Sequence, residues 1–459
     1  MKQLAIVCLL LVSLVVTLTL GYAPALGAPN TDIDHDPGPT PGATIEPAFY
    51  ISLDGSDPTG CGDGTESAPW RTWRKAEGCV PAGSTVYFKP GTYSGIFSGS
   101  GTDIYFKGLP GSPISIMRVP GADGQVIIKQ PLTLRGQYGI IRDMDLDVST
   151  VSTGINIYGN NLVIQDNKIH DSSQFRCLNV FDVAWNIRID GNEVYHCGMD
   201  PISTTGMGAG LETTGGTNIA FINNVVHDAL IGIEVKGGAS NVVIEDNRIY
   251  DIVNSAIAGS SMGCSYGPCG NTLVTGGTIP VPDRYQAKNV VARNNRIDNG
   301  FLWAPIIAYG WADFLIEGNK IVNSSGWTTF SVATTTWEFF DQAALVYAAT
   351  HPSSPCTQYS GTAQCVKLDI YSRNGQIRNN FVQGFNQILE VYSGNQVGLE
   401  MSYNQYNSSD FSASTPGAYY IGGTYYSLAQ LQAFGNEFGS SIAEPPSAEP
   451  PSWDAPIAE

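Results

Sequence analysis

Short runs of alternating apolar and polar residues recur along most of the chain, each closed by an asparagine at a fixed place. The runs NLVIQDNKI, NIRIDGNEV, NIAFINNVV, NVVIEDNRI, NVVARNNRI, DFLIEGNKI and NGQIRNNFV carry it as Asn167, Asn192, Asn224, Asn247, Asn295, Asn319 and Asn380. Met144 takes that slot in YGIIRDMDL, and Asn404 takes it in LEMSYNQY. Several spacings are 23 to 25 residues, and the larger gaps mark insertions. Alternation with period two predicts strands. A period in the low twenties, with Asn or Gly turns, predicts a solenoid of roughly ten or more coils. A leucine-rich repeat shares the period, but its Leu consensus and helical segment are missing. One unit cannot bury its apolar face alone, whereas stacked units bury a continuous core. The Asn column is structural: asparagine tolerates the left-handed turn and bonds to its own copies above and below.

The strand before each asparagine run carries the candidate chemistry. GINIYG, CLNVFD, GLETTG, GIEVKG, SAIAGS and PIIAYG stack in one register. Ile155, Ile157, Leu178, Val180, Leu211, Ile233 and Val235 then point inward. One outward column reads Asn156, Asn179, Glu212, Glu234, Ile257, Ile307. The next reads Tyr158, Phe181, Thr214, Lys236, Gly259, Tyr309. Strands lie about 4.8 Å apart, so Glu212 and Glu234 meet side by side, with Asn179 one coil away and Lys236 adjacent. Two stacked carboxylates repel unless a cation or a proton lies between them. Oxygen donors from Asn179, Glu212 and Glu234 suit Ca²⁺. A lysine beside such a metal acts as a base if its pKa is lowered. The paired Glu residues equally suit a retaining glycosidase, whose carboxyls lie about 5 Å apart. A solvated salt-bridge face is the plain alternative. Tyr158, Phe181 and Tyr309 offer ring faces to sugars, and Arg176 a further substrate contact. His170, His196 and His227 fall just after the asparagine turn as a turn-capping column, and His227 with Asp228 is a candidate for proton transfer.

Composition narrows the class. Of 459 residues 42% are hydrophobic and only 14% charged, with 52 Gly. This excludes a coiled coil and a wholly disordered chain. A formal charge of −18 argues against nucleic acid as partner. Residues 1–28 read as a secretory signal peptide, with Lys2 before a long apolar run and small residues near Ala25 to Ala28. The expected product is secreted, free of the membrane after cleavage, and monomeric. Residues 29–47 read as a linker, 48–440 as the solenoid, and 441–459 as a Pro-rich acidic tail. Without Cys8, eight cysteines remain, and neighbour pairing gives 61–79, 177–197, 264–269 and 356–365.

The segment FYISLDGSDPTGCGDGTESAPWRTWRKAEGCVPAGSTVYFKPGTYSG, residues 49–95, resembles the opening of secreted right-handed parallel β-helix proteins of the pectate lyase-like superfamily. The resemblance implies an all-β, single-stranded right-handed parallel β-helix with loop insertions. That fold is known among polysaccharide lyases, mannuronan epimerases, polygalacturonase-type hydrolases and phage tailspikes. Asn179, Glu212, Glu234 and Lys236 are loosely similar to the chondroitinase B and alginate lyase group, where Asn and two Glu hold Ca²⁺ and a Lys removes the C5 proton. Here the two Glu stand on separate coils. HCGMDPIS loosely resembles an epimerase stretch through Asp200 and Pro201. The resemblance therefore implies a polysaccharide partner and, first, a Ca²⁺-assisted lyase or related epimerase. A glycoside hydrolase using the paired Glu and a non-catalytic glycan-binding or cell-surface protein are the alternatives.

Overall fold

The alternating runs form strands that pair with the equivalent strand one coil on. In this computed structural model the described residues are 47–443 apart from 96–102, 150–152, 174, 199–207, 260–284, 301–302, 323–325, 334, 341–364, 371, 393–397 and 409–411. The expected export segment, the linker and the acidic tail lie almost wholly outside them.

One coil shows the plan. Asn160–Gln165 pairs in parallel with Leu132–Arg142 before it and Trp185–Asp190 after it. Lys168–His170 pairs with Asp145–Asp147 and Glu193–Cys197. Arg176–Phe181 pairs with Thr153–Ile157 and Ala209–Thr214. Three strands per coil, each hydrogen-bonded to its copies, make a parallel β-helix, right-handed as crossovers between parallel strands are. Ile155, Ile157, Leu178, Val180, Leu211, Ile233 and Val235 are all fully buried in its core, as the alternation predicts. Across the N-terminal coils lies the short helix Trp73–Glu77, capped by Thr72, with Trp73 packed on Phe106. The insertion after residue 325 carries an antiparallel pair, Thr335–Phe340 with Cys365–Ile370.

The inner asparagine ladder runs unbroken from Asn167 to Asn404. Each side-chain carbonyl accepts the backbone N–H and the side-chain amide of the preceding rung, as Asn224 does from Asn192 at 3.0 Å each. Each amide also donates to a buried carbonyl, as Asn224 does to Ile189 at 2.9 Å. The ladder ends on Ser440 and Glu437: Asn404 donates its N–H to Ser440 Oγ at 2.9 Å and its amide to Glu437 Oε2 at 3.3 Å. Tyr406 and Tyr419 donate to the other Glu437 oxygen at 2.8 and 2.9 Å.

A second ladder is not evident from the repeat alignment. Asn161, Asn186, Asn218, Asn241 and Asn289 all hold φ between 52° and 56°, the left-handed conformation that asparagine accepts. Their side-chain amides bond rung to rung at 2.8–3.1 Å on the outside of the turn.

The predicted disulfides Cys61–Cys79 and Cys177–Cys197 are formed. The expected 264–269 and 356–365 pairs involve residues outside the described set.

Candidate carboxyl-pair site

Register alone brings the predicted cluster together. Asn156, Asn179, Glu212 and Glu234 are Cα partners on successive strands. Phe181, Thr214 and Lys236 are partners in the adjacent outward column. Beyond Glu234 the expected register fails by one residue. Glu234 pairs with Ala258, not Ile257, because an irregularity between Ala229 and Ile231 shifts the pairing. A one-residue slip exchanges the faces of a strand. Ile257 thereby joins the core, Ala258 and Ile307 face outward, and Gly259 leaves the Tyr309 column.

The cluster is a closed set of hydrogen bonds and ion pairs. Lys236 Nζ donates to Glu234 Oε2 at 2.7 Å and lies 3.4 Å from Glu212 Oε1. Arg176 Nε donates to Glu212 Oε2 at 2.5 Å. Thr214 Oγ1 donates to Glu212 Oε1 at 2.6 Å and reaches Asn179 Oδ1 at 3.3 Å. The Asn179 amide nitrogen, by contrast, is buried and makes no hydrogen bond among the described residues. Thr214 is the member that residue-type reasoning overlooked: it stood in the aligned column, but only side-chain geometry shows it bridging Asn179 and Glu212. Arg176, expected to contact substrate, is bonded to Glu212 through Nε and keeps part of its side chain exposed.

The plain alternative, a solvated salt-bridge face, is not what these two carboxyls form. Glu212 is 0% and Glu234 2% exposed. Solvent reaches it through Lys236 and Arg176, whose side chains keep 12% and 23% exposure.

Burial separates the two carboxyls. Burial alone raises the Glu212 pKa, but Lys236 and then Arg176 outweigh it and hold the group at about 2. Burial pushes Glu234 up, Lys236 opposes, and the negative charge of Glu212 adds to the rise, leaving it at about 7. Near neutrality one carboxyl is ionised while the other exchanges its proton. For Lys236, burial works against the charge, but Glu212 and then Glu234 outweigh it and raise its pKa. Between two carboxyls the ammonium is favoured.

The same pairing bears on calcium. Asn179, Glu212 and Glu234 do converge, but Lys236 and Arg176 already balance both carboxylates. With no uncompensated charge, this donor set does not fit Ca²⁺ while Lys236 stays in place.

Other predicted members separate. His227 lies on the same long strand as Glu234, Val225–Lys236, but on the stretch that pairs with Glu193–Cys197 rather than with Ala209–Thr214. It therefore belongs to another face of the coil. There it bonds Asp228 at 2.7 Å and stacks between Tyr195 and Tyr250 at 5.2 and 4.8 Å. The histidine column is likewise revised: His170 is in register with Tyr195, and His196 stands one residue further. The left-handed turn column is Asp171, His196, Asp228 and Asp251. Asp147, His170 and Asp171 cluster within 4.8 Å, but Lys129 bonds Asp147 and both ring nitrogens of His170 are taken by Asp145 and Asp171.

Tyr309 is 4% exposed and its hydroxyl bonds Ser331 at 3.0 Å, so it offers no open ring face. Tyr158 and Phe181 keep the expected column. Their rings stack at 4.4 Å within 8° of parallel, both half-buried.

Residues 137–328 match the family model described as the right handed beta helix region. An uncharacterised protein, YclG, of Bacillus subtilis (strain 168) is 25% identical over 210 residues, 43% of this chain and 33% of that protein. The chain thus spans about a third of that relative's length. Among solved structures, an alginate lyase from Paenibacillus sp. str. FPU-7 aligns with TM-score 0.42 and 14% identity over 80% of this chain and 94% of its own. Pectate lyase Pel9A aligns with TM-score 0.37 and 12% identity over 79% and 78%. The mannuronan C-5 epimerase AlgE6 A-module of Azotobacter vinelandii aligns with TM-score 0.37 and 13% identity over 79% and 91%. The strand pairing and the match to the right handed beta helix region agree on the fold, a right-handed parallel β-helix.

Among the described residues no helix is long and apolar enough to cross a membrane.

Proposed function

We propose that this is a polysaccharide-active enzyme that works through the Glu212–Glu234 pair. The observation that carries the reading is the stacking of the two carboxyls on adjacent strands, with Lys236 between them and Arg176 on Glu212. Glu234 holds a proton near neutrality and can give it to a leaving glycosidic oxygen. Glu212 stays ionised and can serve as nucleophile or base. Two carboxyls held apart in pKa by their surroundings are the arrangement acid–base glycoside chemistry requires. Lys236 and Arg176 keep Glu212 ionised, and as the part-exposed members they are the ones an entering substrate meets first.

This ordering puts hydrolysis ahead of lysine-based β-elimination, because Lys236 keeps its proton between two carboxyls. Calcium enters only as a competitor for the place of Lys236, and a chelator is expected to leave activity unchanged. A binding protein without turnover is the remaining alternative. The test is incubation with polyuronates and neutral glycans, with Ca²⁺ and with chelator, reading reducing ends and ultraviolet absorbance together. New reducing ends without absorbance, lost in Glu234→Gln, support the proposal. Absorbance that needs Ca²⁺ and Lys236 restores the lyase reading. Neither signal leaves the binding protein.

A further inference from the structure

Three coils before the carboxyl pair, the same outward column opens into a cleft. It has a volume of about 590 Å³ and is lined in part by Tyr105, Lys107, Leu109, Arg135, Tyr158 and Val183. Tyr105 and Arg135 are partners on adjacent strands. The Arg135 guanidinium lies 4.8 Å over the Tyr158 ring, which stacks in turn on Phe181. Tyr105 is 46% exposed.

Charge singles this cleft out. Its lining residues include two cations, Lys107 and Arg135, and no acid, in a chain whose formal charge is −18. Asp103, just outside the lining, bonds Arg135 through Nε at 3.1 Å, and the Arg135 side chain stays 43% exposed. Nε is the inner nitrogen of the guanidinium, so the outer pair of nitrogens keeps the fork geometry that a carboxylate takes in two parallel bonds. Ring faces beside a guanidinium suit a sugar that carries an acid group, and the alkyl edges of Leu109 and Val183 suit its apolar face.

We propose that this cleft binds a uronic acid unit of an acidic polysaccharide, with Arg135 and Lys107 on its carboxylate and Tyr105 against its ring. The inference rests on the glycan-active reading and names its substrate class. From Arg135 the column runs through Tyr158, Phe181 and Thr214 to Lys236. That is four strand steps, or about 19 Å at the strand spacing. The cleft thus holds the chain several sugars away from the carboxyl pair. A polyanion would land here on a lining with two cations and no acid, although Asp103 and Asp182 stand close by.

The experiment is affinity electrophoresis and calorimetry of the full chain with polygalacturonate, polymannuronate, dextran and dextran sulfate at low salt. At least one polyuronate is expected to bind, dextran is not, and Arg135→Ala/Lys107→Ala is expected to weaken binding at least 10-fold. Tyr105→Ala weakens it less. Lys107→Glu at its exposed position gives the same direction if the double variant fails to fold. Binding of no polyuronate, binding of dextran sulfate alone, or unchanged binding by the double cation variant overturns the proposal. Binding that depends on Arg135 without any turnover keeps the cleft and overturns the carboxyl-pair reading instead.

Discussion

The Lys236 ammonium lies 2.7 Å from Glu234 Oε2, on the same strand and two residues away. A short reach along one strand thus brings the cation between carboxyls of two coils. Removing it strands Glu212 and Glu234 together with only Arg176 to compensate. Breaking a buried ion pair by deleting one partner costs about 3–5 kcal/mol. Lys236→Met is expected to lose that much in urea unfolding at pH 7, and to regain part of it with Glu234→Gln added. Additive losses in the double variant would show that Lys236 and Glu234 are not coupled.

The two carboxyls give opposite pH signatures. The folded chain keeps the Glu234 proton up to about 7, whereas the unfolded chain releases it near the ordinary 4.5. The folded state then binds more protons between pH 4.5 and 7, so this group lowers stability as pH rises through that window. Glu212, held at about 2, contributes stability that is complete above 4.5 and is lost as pH falls from 4.5 towards 2. Glu234→Gln is expected to flatten the decline between pH 4.5 and 7, and Glu212→Gln to flatten the acid limb. Unfolding free energies measured across pH 2–8 check both.

His170 gives a third signature. Its imidazole bonds Asp145 and Asp171, each at 2.8 Å, and stacks on Tyr195 at 4.8 Å. Asp145 above all raises its pKa over the ordinary 6.5, with burial opposing. The stabilisation is fully present below 6.5 and fades as pH rises through the folded value. His170→Gln is expected to remove this part of the alkaline decline. An NMR titration of His170 giving a midpoint at or below 6.5 would contradict it.

The inner ladder predicts large local costs. Asn224→Ala leaves the Asn192 N–H and the Ile189 carbonyl buried without partners. Each such orphan costs about 1–3 kcal/mol. A total loss of about 3 kcal/mol or more is expected in denaturant unfolding, against a smaller loss of about 1–2 kcal/mol for Asn186→Ala on the exposed outer ladder, from its left-handed backbone.

The outer ladder has one defective rung. Asp313 stands in register beyond Asn289, and its carboxylate accepts from Asn374 at 2.8 Å but has no amide to donate to Asn289. Asp313→Asn is expected to complete the column and add about 0.5–1.5 kcal/mol. A lower melting temperature would instead show that the contact with Lys288, 3.7 Å away, matters more.

The sequence by itself determined the coil. Period-two alternation put Ile155, Leu178, Leu211 and Ile233 inside, and the recurring asparagine marked where each strand turns. Both follow from local rules that every coil repeats, which is why Asn179, Glu212, Glu234 and Lys236 could be aligned from the letters alone. The outer ladder was written in the same letters, at Asn161, Asn186 and Asn218, but its meaning lies in left-handed backbone that only the folded turn displays. What the tertiary structure decided is non-local. An irregularity after Ala229 moved the register by one and sent Ile257 inward. The bend within Val225–Lys236 carried His227 to another face. Burial, with Lys236 and Arg176 closing on Glu212, fixed which carboxyl keeps its proton. Spacing along a chain specifies neighbours on one face, but exposure and charge balance depend on everything packed around them.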